Sequence, residues 1–463
     1  MQLTEFLPAD HPVLKLAESA FAHQPLRFIK GLASAYLAYP IAERLEHRSV
    51  NPKIVELRRH YNKSFDERKD ISRQKLVETL LFCQHSVPYY KDLFASLNFD
   101  PEQVSKDIQY LNNLPYLTKD IIREQGSRML SKPLADVKHH VCKTGGSTGL
   151  SCTILYDQEG ADYSSAVTLF ARECSGNTKR KTELHFACRF PEVSQPKWPS
   201  REDYKCFAMN RSNIFFDRID DVGLDEIWQT LKRRRPYMVH AHPSTIYALA
   251  CYIERKYGAT KSFAVFESSG ELLQPYMRET IARVLNCRVV DRFGLAELGV
   301  VAYEVDSNIP KMMVLESEVW PESREVEPDI HELVLTGFRN KLMPLIRYAT
   351  GDNAKIEHTD QGIYLTDVVG RIHDVVPING IAHPTHHIQD ILDHRVGGIQ
   401  EFQIDLRSSP PIMKIVLEPY ADSNETTAKL EKFWPNGFVV SYVGHDELIR
   451  VGHRAKFRHV VTA

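Results

Sequence analysis

Between positions 224 and 291 the apolar residues alternate between two periods. Leu224, Ile227 and Leu231 keep the spacing of one helix face, and the helix they predict runs into Lys232-Arg233-Arg234-Arg235 before Pro236. Cations complement a helix C-terminus and proline stops the turn, so this basic run reads as a solvated helix end. A strand is predicted over 237–240, then a helix capped by Ser244 with Ile246, Leu249, Ala250 and Ile253 on one face, ending near Gly258. A strand over 263–266 follows, then a helix opened by Pro275 that carries Met277, Ile281, Val284 and Leu285, then a strand over 288–291. Strands and helices in this order predict a parallel sheet with helical crossovers. Such sheets bind ligands beyond the carboxyl ends of their strands. Three loops fall there: His240-Ala241-His242-Pro243, Ser268-Ser269-Gly270-Glu271 and Arg292-Phe293-Gly294-Leu295-Ala296-Glu297.

On either side the pattern is less regular. Residues 1–75 read as helical, with an apolar aromatic stretch through Phe28, Tyr36, Leu37, Tyr39 and Ile41. The uncharged run between Lys30 and Glu43 is shorter than the roughly 20 apolar residues a bilayer span needs, and Pro40 interrupts it. It is read as a packed helix pair rather than a membrane-surface anchor. A helix over 73–85 is closed by Val87-Pro88-Tyr89-Tyr90, and Thr118 is an N-cap for a helix through Ile121 and Ile122. Strands over 332–336 and 362–367 flank the stretch from Pro344 to Asp352, which contains Thr350-Gly351-Asp352. After Gly370-Arg371-Ile372-His373-Asp374 the texture changes to short alternating strands. The expected class is α/β: a helical segment 1–75, a large domain 76–370 with a mostly parallel sheet, and a small α+β domain 371–463.

Composition narrows the class without naming a function. The 463 residues are 43% hydrophobic and 25% charged, an ordinary globular balance. A net charge of −2 gives no field to draw in nucleic acid or an anionic membrane. The eight cysteines are scattered with no C-x-x-C pair, and no secretory signal pattern is present, so reduced thiols in a cytoplasmic protein are expected.

Lys143-Thr144-Gly145-Gly146-Ser147-Thr148-Gly149 carries the strongest chemical signal. Its glycines let backbone N–H groups approach an anion, and its hydroxyls add donors. A Walker A loop is excluded because Leu150 stands where lysine is needed. A serine-hydrolase elbow is matched by Gly145 to Gly149 around Ser147, but an elbow turns into a helix. Here Cys152-Thr153-Ile154-Leu155-Tyr156 reads as strand, which favours a loop closing over nucleotide phosphates.

Taken in order, Thr144 to Gly149, Ser269-Gly270-Glu271, Phe293-Gly294-Leu295-Ala296-Glu297, Thr350-Gly351-Asp352, Gly370-Arg371 and Lys456-Phe457-Arg458 resemble the adenylate-forming superfamily. Val87-Pro88-Tyr89-Tyr90 and Leu114-Pro115-Tyr116-Leu117-Thr118-Lys119 are similar to its phenylacetate-CoA ligase and CapK-like branch. The resemblance implies a ligase that uses ATP and Mg²⁺ to turn a small carboxylic acid into an acyl-adenylate. The acyl group would then pass to a thiol of CoA or a carrier protein, or to an amine. A serine hydrolase and a non-catalytic nucleotide-binding relative are the readings from other classes.

The same resemblance distributes roles. Thr144, Gly145, Gly146, Ser147, Thr148 and Gly149 would hold the pyrophosphate end of ATP, with Thr148 acting in catalysis. Phe293, where the family often has tyrosine, would stack on adenine, while Ser269, Gly270 and Glu271 line its edge and Asp291, Arg292 and Gly294 complete the nucleotide site. Glu297 would hold Mg²⁺, Asp352 would accept from the ribose hydroxyls, and Arg371 would reach the ribose or α-phosphate. Lys456, preceded by Ala455 where the family has glycine, would pair with the developing charge at the α-phosphate. His373 occupies the hinge position, where aspartate or lysine is usual. His240, His242, Leu295 and Ala296 would line the acid pocket. His383, His386 and His387 lack further ligands at metal spacing and are read as structural. A homodimer is compatible with the sequence.

Overall fold

The structure, a computed structural model, describes residues 11–143, 152–188, 199–306, 309–328, 330–369, 375–444, 447–451, 456–457 and 459–462. The chain divides into two compact units. The first takes Met1–Glu46, Asn177–Asp291 and Arg371–Ala463; the second takes His47–Gly176 and Arg292–Gly370.

In the first unit, five strands form an all-parallel sheet in the order Arg211–Phe216, Glu183–Cys188, Met238–Ala241, Val265–Ser268, Arg288–Val290. Three of its four crossovers are the helices Asp221–Arg234, Pro243–Tyr257 and Pro275–Leu285, as the apolar spacing predicts, and the other contains Arg201–Ala208. Leu224, Ile227, Leu231, Ile246, Leu249, Ile253, Ile281 and Val284 pack with Leu184, Val239 and Phe266 of the sheet. Two local readings change. Pro243–Tyr257 begins one residue before Ser244, with His242 at the N-cap and no side-chain cap bond. The basic run is not merely solvated: Arg233 and Arg234 hold Glu18 of the helix Pro12–Phe21 at 3.1 and 2.9 Å.

Residues 26–45 form one continuous helix rather than a pair: α-helical over Leu26–Ala33, a π-turn over Ser34–Ala38, α-helical again over Tyr39–Leu45. Pro40 cannot donate to the ladder, and its ring crowds the carbonyl four residues back; the wider turn before it lets the helix continue. The 371–463 segment contributes a four-stranded mixed sheet in the order Val439–Tyr442, Ile412–Leu417, Ile399–Asp405, Val460–Val461, with its own core around Ile388, Ile404, Ile415 and Leu430. Among the described residues no helix is long and apolar enough to cross a membrane.

The second unit is built on a seven-stranded antiparallel sheet, ordered Val319–Glu327, Ile330–Gly337, Tyr348–His358, Ile363–Val369, Met312–Val314, Gly299–Tyr303, Arg292–Leu295. The helix expected over 73–85 is Phe65–Ser86, started by a Ser64/Glu67 capping box, and Pro88 opens the next helix instead of closing this one. Thr118 caps Lys119–Gln125 as predicted, its Oγ1 accepting from the Ile121 N–H at 3.4 Å.

Candidate active site

The glycine-rich loop 144–149 lies outside the described residues, as do Arg371 and His373, but its flanks are placed. His139–Lys143 and Thr153–Asp157 pair as an antiparallel hairpin, closing at Lys143 and Thr153. A strand, not a helix, therefore follows the loop, which removes the hydrolase elbow. The hairpin is seated next to Glu297. The Tyr156 hydroxyl donates to the Ala296 carbonyl, and the Glu297 charge, after burial, helps raise the Cys142 thiol and the Tyr156 phenol above their ordinary pKa.

Glu297 itself is 4% exposed. Its Oε1 accepts from the Tyr348 hydroxyl at 2.7 Å and faces the Lys119 ammonium at 3.7 Å. Burial and the Glu297 carboxylate push the Tyr348 phenol far up, so it stays a donor at working pH. These residues come from three distant stretches joined by backbone: Leu117 N–H donates to the Arg347 carbonyl and Ala349 N–H to the Leu117 carbonyl, both at 2.9 Å. Arg347, with φ of 50°, is buried and fixes the join through Glu322 at 2.9 Å and the Leu111 carbonyl at 3.2 Å.

Thr350-Gly351-Asp352 lies in the strand Tyr348–His358, as a bulge. Glu332 pairs with Asn353 and Val334 with Ala349, so 350–352 stand opposite the single residue Leu333. Gly351 takes φ of 78°, open to glycine without steric cost, and its N–H donates to Glu332 at 2.9 Å; the Thr350 hydroxyl donates to the Leu333 carbonyl at 2.7 Å. Bulges re-aim side chains. The Asp352 charge adds to the rise of the Tyr348 phenol, four residues before it in the same strand. Arg292, Phe293, Gly294 and Leu295 form the edge strand leading to Glu297, with Phe293 half-buried and Gly294 and Ala296 exposed.

The other predicted residues belong to the first unit. His240 Nδ1 is 2.8 Å from the buried Glu267, and His242 Nδ1 is 3.3 Å from Glu271. Glu271 also accepts from the Ser244 N–H at 3.2 Å and hydroxyl at 2.8 Å, which neutralises the start of the helix Pro243–Tyr257. Its carboxylate is committed to the fold, and the Ser269 N–H donates to the Ala241 carbonyl at 3.3 Å. Gly270 has φ of 83°, and a Cβ there would lie 2.5 Å from the His242 ring. Asp291, half-buried, closes the Asn177–Asp291 segment. Lys456 lies in a two-residue strand paired with Arg450–Val451. The His383 and His387 rings stack 5.9 Å apart. The sequence reading missed Lys119 and Tyr348 in the second unit and the pair His185–Glu183, 3.1 Å apart, beside His240 in the first. A lysine directly after a capping threonine was the one available hint.

No family model matches the chain. It is 23% identical over 320 residues to Protein CapK of Staphylococcus aureus, covering 66% of this chain and 68% of that protein. It is 22% identical over 334 residues to the phenylacetate-coenzyme A ligase of Escherichia coli K12, covering 69% and 74%. Among solved structures, 2-hydroxyisobutyryl-CoA ligase in its post-adenylation state, with R3-HIB-AMP, superposes with a TM-score of 0.53 at 16% identity over 88% of this chain and 91% of that one. The same ligase with 2-HIB-AMP and CoA gives 0.53 at 17% identity over 87% and 91%. The fold is that of the adenylate-forming ligases, and the resemblance to the phenylacetate-CoA ligase and CapK-like branch holds.

Proposed function

From that fold and resemblance we propose that the chain activates a small carboxylic acid with ATP and passes the acyl group to a thiol. In the first step a carboxylate oxygen attacks the α-phosphorus, the bond to the β-phosphate breaks and pyrophosphate leaves. In the second the thiol attacks the acyl carbonyl and AMP leaves. CoA is the favoured acceptor, since the fold is shared with a ligase caught with both acyl-AMP and CoA; a carrier-protein thiol or an amine is the alternative. The observation that supports the reading is that the glycine-loop hairpin is seated against Glu297, whose partner Tyr348 opens the strand that carries the Asp352 bulge, all within one unit.

Each residue then does elementary work. The 144–149 loop holds the pyrophosphate end through backbone N–H groups and the Ser147 and Thr148 hydroxyls. As the resemblance implies, Phe293 would stack on adenine and Asp352 would hold the ribose side. Glu297 suits Mg²⁺: Oε1 is engaged by Tyr348, so Oε2 is the oxygen to give, and Mg²⁺ takes one or two carboxylates with phosphates and water. Bound there, the cation would supply charge neutralisation for the leaving phosphates. Lys456, in the 371–463 segment, would steady charge at the α-phosphate, as the resemblance implies.

The test is pyrophosphate release and hydroxamate trapping over a panel of aromatic and aliphatic acids, for wild type and Lys456→Ala. Loss of the lysine should cut adenylation by about 100-fold or more while ATP binding survives. Equal rates in the two proteins would remove the assigned role.

A further inference from the structure

The 26–45 helix turns its apolar side to water. Inward, Gly31 lies against the Arg180 backbone so closely that a Cβ would sit 2.1 Å from its carbonyl oxygen, Ser34 is buried, and Lys179 covers the Tyr39 ring at 3.7 Å. Outward, Phe28, Ile29, Tyr36, Leu37, Ile41 and Leu45 are each 55–74% exposed. At about 200 Å² for a large side chain, these six leave roughly 700 Å² of apolar surface in water. That exceeds the roughly 300–600 Å² of the largest patch on a typical monomer and approaches the ~800 Å² each partner contributes to a stable interface.

The backbone keeps this face straight. Four α-helical residues overrun one turn by about 40°, so a ridge of period four drifts around the axis; the wider turn over Ser34–Ala38 opposes the drift at its middle. The ridge is Ile29, Ala33, Leu37, Ile41, Leu45, apolar throughout with Leu37 at its centre. We propose that this face is where two copies of the chain pair, the two helices related by a twofold axis through Leu37. Under that symmetry Leu37 meets Leu37, and Ile29 of one copy meets Leu45 of the other. A lipid surface fits less well, because anchors flank their apolar face with cations. Of the three cations of this helix, Arg27 is engaged by Thr182 at 3.1 Å and burial lowers the Lys30 pKa, which leaves Arg44 as the single exposed one.

The test is the mass of the full chain in solution, by light scattering and sedimentation equilibrium, with cysteine pairing to fix the geometry. Wild type should sediment at twice 53.2 kDa, and Leu37→Glu at 53.2 kDa, with dimer affinity at least roughly 30-fold weaker. Leu37 is exposed in the single chain, so circular dichroism of the variant should match wild type. On mild oxidation Leu37→Cys should cross-link alone, and Ile29→Cys only when combined with Leu45→Cys. A monomeric wild type would overturn the proposal, whether the face then proves to be covered by residues 1–10 of the same chain or to bind phosphatidylcholine vesicles. So would a dimer that survives Leu37→Glu, or Ile29→Cys cross-linking as well alone as in the pair.

Discussion

Replacing Lys119 by methionine removes an ammonium 3.7 Å from Oε1 of Glu297 while leaving most of the side-chain volume in place; the two side chains are 8% and 6% exposed. Breaking a buried pair by deleting one partner costs about 3–5 kcal/mol, since the other charge stays desolvated. The lower end applies here, because Tyr348 still donates to the carboxylate at 2.7 Å and the ammonium is beyond hydrogen-bond length. About 3 kcal/mol is therefore expected for Lys119→Met. Glu297→Gln should cost a comparable amount by stranding Lys119. Removing both charges should cost clearly less than the sum, leaving a coupling of roughly 2 kcal/mol. The assay is a double-mutant cycle in urea, read as midpoint shifts at constant slope. Pyrophosphate release should fall further in Glu297→Gln than in Lys119→Met, since only the carboxylate is assigned to the cation. Single effects that add to within about 0.5 kcal/mol would show that the charges do not sense each other, and the constructed centre would lose its electrostatic basis.

Gly270→Ala puts a side chain at φ of 83° and 2.5 Å from the His242 ring; about 1–3 kcal/mol of strain is expected, seen as a lower melting temperature together with a higher KM for the acid. Glu271→Ala should cost about 1–2 kcal/mol by exposing the start of Pro243–Tyr257, while ATP affinity measured by titration calorimetry stays near wild type. Hydrogen bonds from the Tyr252 hydroxyl and the Lys256 ammonium hold the Asp225 carboxyl at about 2, below its ordinary 3.8. A depressed carboxyl stabilises the fold above its unfolded pKa and loses that contribution as pH falls through its folded one. Asp225→Asn should thus unfold at lower urea than wild type at neutral pH, and the gap should close as pH falls through that window towards 2.

Much of the first unit was legible because its helices carry redundant signals. Apolar spacing, Pro275 at a helix start and Pro236 after a helix end all agree with the parallel sheet. The antiparallel sheet was harder to read, since bulges at Glu325/Glu327, Glu332/Val334 and Asn353/Lys355 interrupt the period-two pattern, and Gly351 imitates a turn. Lys119 and Tyr348 escaped notice because only the bridge between Leu117 and Tyr348 makes them neighbours. The 26–45 helix was misjudged for another reason. Its apolar residues argue for burial, yet Gly31 and Ser34 mark the side that approaches the body of the unit.

The order in which the chain visits its two units bears on how it can be made and cut. It changes unit after Glu46, Gly176, Asp291 and Gly370. On a ribosome the parallel sheet of the first unit has all its strands by position 290 and the second unit by position 370, whereas the sheet of 371–463 comes last. A stop codon at 371 would therefore release the antiparallel sheet together with all five parallel strands, and lose only the four-stranded sheet of 371–463 with its separate core.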